Sequence, residues 1–148
     1  MTYTLKRLNE KDLFEMKRFF KEIFMNEPWN DDWSDEVQLS NYIRDIACCF
    51  NSICYGYFDK EELIGLAMGS KRHWWTGIEY FMEEFCIKTS MQGQGIGREF
   101  LQIIEKDLKT EGIVSIRLQT ERQVPAYHFY PKVGFKEVKE QVSFVKKI

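Results

Sequence analysis

The chain is poor in the residues that build metal and redox centres. It has 2 histidines and 4 cysteines in 148 residues. Cys48, Cys49, Cys54 and Cys86 form no Cys-x-x-Cys pair, so a zinc site or disulfide framework is not expected, and reduced, mostly buried thiols are. Long apolar runs are absent as well. No stretch approaches the ~18 residues of a membrane span, and Met1–Leu8 lacks the apolar segment of a secretory signal. A cytoplasmic protein with no membrane partner is the expectation. Charge of one sign is also missing: 21 basic residues stand against 23 acidic ones, for a net charge of −2. That balance argues against nucleic acid as a partner. With 3 prolines, 9 glycines and no repeat or low-complexity linker, residues 1–148 read as a single domain.

Aromatic residues, by contrast, are plentiful at 16%. Tyr3, Leu5 and Leu8 begin a short strand. Asn9 opens a helix, with Asp12 placed as the acid of a capping box. Leu13, Met16, Phe19, Phe20, Ile23 and Phe24 recur at helical spacing, and Pro28 is the expected stop. Glu36–Ile46 gives a second helix with Val37, Leu39, Tyr42, Ile43 and Ile46 as apolar positions. Ile53–Phe58 and Leu63–Met68 flank a polar turn and read as a hairpin, followed by an aromatic-rich strand at Ile78–Ile87. A third helix spans about Gly95–Thr110, with Gly112 as its stop. Ile113–Gln119 is a strand, Pro125–Tyr130 a short helix, and Gly134-Phe135 leads into a closing strand pair. The order β-α-α-β-β-β-α-β-α-β describes an α/β mixed sheet with helices on both faces.

Gly93, Gly95 and Gly97 lie between a strand and an amphipathic helix. Glycines let backbone N–H groups approach an anion closely, and the helix N-terminus adds about half a positive charge. A pyrophosphate cradle and a plain tight turn both fit. A dinucleotide fingerprint does not, because Arg98 and Phe100 stand where a third glycine is needed. The acid wanted about 20 residues on is also missing, with Ile113–Ile116 in its place. The P-loop is excluded by the missing Gly-Lys-Ser/Thr.

Gln92-x-x-Gly95-x-Gly97 after Phe85-Cys86-Ile87 resembles the acetyl-CoA signature of the GNAT superfamily of N-acetyltransferases. Pro125-Ala126-Tyr127-His128-Phe129-Tyr130-Pro131-Lys132-Val133-Gly134-Phe135 resembles the second segment of that family, at the expected distance. The element order agrees over nearly the whole chain. The resemblance implies a mostly antiparallel central sheet with a splay between two parallel strands, and acetyl-CoA as co-substrate with no metal. It implies that the backbone of Phe85, Cys86 and Ile87 pairs with the pantetheine arm. It also implies that the amides of Gly93, Gln94, Gly95, Ile96, Gly97 and Arg98 hold the pyrophosphate, with Gln92 as the residue that opens this cofactor-binding motif. Gln123 stands where the family often has Asn, which puts a cofactor contact there in question.

Tyr130 matches the family tyrosine that protonates the leaving thiolate. Glu84, with Glu83 as the alternative, is positioned to take the proton of the attacking amine, either directly or through a water chain. On a regular strand the two alternate in direction, and Glu83 would share a face with Phe81 and Phe85. Between Asn26 and Glu36 lie five acids, two tryptophans and no basic residue. Trp29, Asp31, Asp32 and Trp33 there, with Trp75 opposite, could hold a cationic amine by charge and cation–π contact. They also fit a solvated loop with helix-capping acids. The resulting expectation is an N-acetyltransferase acting on a small-molecule amine, with a homodimer left open. A protein acetyltransferase and a non-catalytic acyl-CoA sensor remain the alternatives.

Overall fold

A computed structural model describes residues 2–148. Strand β1 (Thr4–Leu8) leads through a single 3-10 turn at Glu10–Asp12 into helix α1 (Leu13–Phe24), followed by α2 (Glu36–Ala47). Strands β2 (Ser52–Asp59), β3 (Glu62–Trp74) and β4 (Gly77–Ile87) form an antiparallel meander. Helix α3 (Ile96–Lys109), strand β5 (Ile113–Arg117) and helix α4 (Ala126–Lys132) complete the elements. The sheet runs β1-β2-β3-β4-β5, and only the β4–β5 pair is parallel. This is the mixed α/β architecture that the sequence implies.

The capping box forms as expected. Asn9 Oδ1 accepts from the Lys11 amide, and the Asn9 amide donates to Asp12. It caps the 3-10 turn, however, so α1 starts four residues later than Asn9. Helix α1 also ends at Phe24, ahead of Pro28, where the Met25 amide closes on the carbonyls of Lys21 and Ile23. Strand β3 continues to Trp74, beyond the expected end at Met68. The closing strand pair after Phe135 is not found, because no strand follows α4 among the described residues. There the outer side of β5 borders a groove of about 420 Å³ between α3 and residues 133–136. Val142, Phe144 and Val145 are exposed.

Two apolar layers sandwich the sheet. On one face α1 and α2 pack Met16, Phe20, Leu39 and Ile43 against Cys54, Leu66, Met68 and Cys86. On the other, Phe100, Leu101 and Ile104 of α3 meet Tyr55, Tyr57, Tyr80, Met82 and Ile87. The buried Glu79 of β4 is paired with Arg117 of β5 at 3.3 Å. That ion pair sits where the parallel ladder ends, at Phe81 opposite Arg117.

One irregularity in β4 positions the site. The β3–β4 register passes from Met68 opposite Glu84 directly to Gly69 opposite Met82, so Glu83 is an extra, bulged residue. Tyr80 and Met82 therefore face α3, as do Phe85 and Ile87 beyond the bulge. Glu84 and Cys86 face α2. Regular alternation would have put Glu84 on the side of Met82, and the sequence-based pairing of Glu83 with both Phe81 and Phe85 fails for the same reason. Glu83 is solvent-exposed. Gly69 makes the bulge sterically feasible, because a Cβ there would stand 2.2 Å from the Phe81 carbonyl oxygen.

Candidate active site

Strand β4 pairs with β5 only from Ile78 to Phe81. Beyond that point the two strands part, and the edge of β4 from Met82 to Ile87 that faces β5 is unpaired, while its other edge stays bonded to β3. The side chains of this stretch are absorbed in packing. Phe85 stacks on Phe100 (5.4 Å between centroids) and lies 6.1 Å from Phe129, and Cys86 and Ile87 are buried. What the splay presents is therefore backbone, which is the part the resemblance assigns to the pantetheine arm.

Helix α3 begins at the mouth of the splay. Its N-cap, Gly95, has φ +81°, and no side chain caps the helix. Gly93 is also left-handed, at φ +76°. Around either glycine nothing lies within 4 Å of where a Cβ would be, so the turn faces open space. Free first-turn amides, a helix dipole and two glycines in left-handed geometry suit a phosphate group. The residues present thus fit the pyrophosphate of an acyl-CoA. Gln92 fixes the turn by donating from Nε2 to the Ile87 carbonyl at 3.0 Å, and Gln94 donates to Ser90 at 3.3 Å. The Ile96 side chain is buried, which leaves its amide to the turn. Gly97 lies under Phe129, at 3.2 Å from a would-be Cβ. Arg98 donates to the Lys132 carbonyl at the end of α4 (2.9 Å), so its charge first serves to dock α4 beside α3. Gln123 is exposed in the loop before α4.

Glu84, on the α2 side, is near enough for its charge to act on Tyr130, on the α3 side. Tyr130 is largely buried between Phe129 and Phe135, each 5.3 Å away. Burial first, then the neighbouring Cys86 and Glu84, hold its phenol protonated well above the usual range. The Glu84 carboxyl is pushed up from 4.5 to about 7, chiefly by burial and further by Glu83 and Asp31. It accepts a hydrogen bond from the Tyr42 hydroxyl at 2.7 Å, which works in the opposite direction. Burial also pushes the Cys86 thiol well up, which removes it as a nucleophile.

The acidic segment 26–36 divides by role. Asp35 caps α2 through the amides of Val37 and Gln38, and Glu36 pairs with Lys17 and Lys21. Asp32 accepts from the Ser34 amide. Asp31 is the acid of this segment close enough to raise the pKa of Glu84. Trp33 stacks on Tyr42 at 5.1 Å with a buried, unpartnered Nε1, and Trp29 packs on Phe24. Trp75 is not brought to this group. It lies in the turn beyond the far end of β4, whose first residue, Gly77, is roughly 23 Å along the strand from Glu84 at about 3.3 Å per residue. Sequence reasoning missed Tyr42, which it counted as an apolar position of α2. Among the described residues, no group of three or more His, Cys, Asp or Glu side chains could hold a metal ion.

A parallel strand pair that parts beside a glycine-opened helix, with a carboxyl and a phenol at the gap, is an acyltransferase architecture. The sequence profile of the acetyltransferase (GNAT) family matches residues 11–135, and the chain belongs to that family. A streptothricin acetyltransferase of Escherichia coli is 29% identical over 97 residues, 64% of this chain and 53% of that protein. The chain thus aligns with about half the length of that relative. Among solved structures, an aminoglycoside acetyltransferase from an uncultured soil metagenomic sample, in complex with sisomicin, superposes with a TM-score of 0.76 at 16% identity, covering 99% of this chain and 96% of that one. AAC(6')-Iy, bound to a bisubstrate analogue of CoA and acetylneamine, gives 0.74 at 18% identity, covering 100% and 99%. At these identities the structures establish the fold.

Proposed function

We propose that the protein moves the acetyl group of acetyl-CoA to a primary amine of a small cationic molecule, by direct attack in a ternary complex. The observation that carries this reading is the pair at the splay, where burial pushes the Glu84 carboxyl up to about 7 and keeps the Tyr130 phenol protonated. These are the protonation states that the two proton transfers need at neutral pH.

Acetyl-CoA supplies the activated carbonyl, and the chain does the rest. The amides of Gly93–Arg98 hold the pyrophosphate, and the open edge of β4 pairs with the arm. Glu84 accepts the proton that the amine nitrogen loses as its lone pair attacks the thioester carbon. A free N–H on the splayed edge of β4 stabilises the resulting oxyanion, an effect worth about 3 kcal/mol in such sites. When the C–S bond breaks, Tyr130 protonates the sulfur.

Asp31, Glu83 and the Trp33–Tyr42 wall would receive a cationic acceptor, with Asp32 and Trp29 on the same loop. Relatives named for streptothricin and aminoglycosides support a small-molecule acceptor. Isothermal titration should show CoA binding. Acetyl-CoA with a panel of streptothricin, aminoglycosides and polyamines should release free thiol with at least one member. Folded protein that binds no CoA would sink the reading. Binding without thiol release from any amine would instead favour a non-catalytic sensor.

A further inference from the structure

Among the described residues, Tyr42 is the one side-chain hydrogen-bond donor on Glu84. The groups around that carboxyl are Tyr42 from α2, Asp31 from the acidic loop, Glu83 and Cys86 on its own strand, and Tyr130 from α4. Glu83 and Asp31 disfavour the ionised carboxylate, as does burial, whereas Tyr42 alone favours it. Tyr42 is itself held on its ring. It stacks on Trp33 (24° between planes) and lies 5.7 Å from Phe20. A tyrosine gripped in this way by the α1–α2 layer has little freedom to swing, so its hydroxyl is a fixed point for a side chain arriving from the sheet. The bond uses Oε2 of Glu84 and leaves Oε1 to take a proton.

We propose that Tyr42 is the positioning residue of Glu84: its hydroxyl fixes the carboxyl's orientation and favours its ionised form. This rests on the reading of Glu84 as the base, but the test can be made without any acceptor. Tyr42→Phe keeps the ring on Trp33 and removes only the donor. Losing a donor that favours the charged form raises the pH at which Glu84 ionises. In a carbon-13 carboxyl NMR titration, with Glu84→Gln assigning the signal, the Glu84 midpoint should rise by about one pH unit in Tyr42→Phe. A midpoint that does not move overturns the proposal. In the unmodified protein, the ring carbon bearing the Tyr42 hydroxyl should titrate with the same midpoint as Glu84, and a flat trace there also overturns it. Acid-limb kinetics separate the two readings. If the carboxyl midpoint moves while the pH–rate profile of acetyl transfer stays put, Tyr42 still governs Glu84, and it is Glu84's role as base that falls.

Discussion

Glu84 is a carboxyl group kept where a charge is costly, and that cost has a sign in pH. Its pKa is 4.5 when unfolded and about 7 when folded, so the folded state holds the proton more tightly between those values. The carboxyl costs the fold nothing below about 4.5. Stability is lost as pH rises through that window, up to roughly 3 kcal/mol above pH 7. Glu84→Gln should therefore melt higher than the unmodified protein at pH 8, a difference that vanishes by pH 4, while acetyl transfer is lost. A variant with equal melting temperatures at pH 8 would mean that Glu84 is not buried as a charge. Tyr130→Phe should lower turnover about a hundredfold with CoA affinity nearly unchanged, measured by thiol release and isothermal titration. Tyr130 could be singled out because it stands at a fixed place in the second family-like segment, and Glu84 because it lies on the strand two residues before Cys86. Tyr42 could not, because at helical spacing a tyrosine reads as core and its hydroxyl finds a partner only across the fold.

At the scale of elements, the helices and the meander follow from apolar period and turn residues, and their limits shift where local bonds compete. The 3-10 turn at Glu10–Asp12 takes the capping box that seemed to belong to α1. Asp35 and Glu36 proved to be a cap and an ion-pair partner, which reduces the acidic loop's contribution near Glu84 to Asp31. A strand bulge leaves no mark in a hydrophobic pattern, so the faces of β4 could not be assigned from alternation. Its one trace is Gly69, whose meaning appears only when Phe81 is seen opposite. Gly69→Ala forces a Cβ into a backbone carbonyl and should cost about 2–3 kcal/mol, read as an earlier urea midpoint. Gly95→Ala meets open space but strains a left-handed φ, so it should cost about 1–2 kcal/mol and weaken CoA binding as well.

For the whole molecule, the sheet separates two jobs. In the proposed reaction the α3–α4 side would offer amides to the donor, while the α1–α2 side would present Tyr42, Trp33 and Asp31 to the acceptor. CoA should accordingly slow hydrogen exchange at the amides of residues 82–87 and 93–98, and leave the inner turns of α1 and α2 unchanged. Slowing spread evenly over both layers would contradict that division.

The bulge at Glu83 also has a consequence for chain length. With that residue deleted, Met82 would precede Glu84 directly, and every other side chain of β4 would keep its present face by ordinary alternation. The strand would lose only its bend. A one-residue deletion in a central strand is usually ruinous, yet this one should fold. A straight β4 would keep running alongside β5 past Phe81, and the gap between them would narrow. The shortened protein should melt cooperatively and fail to bind CoA, which makes curvature, separately from any side chain, the property that opens the cleft.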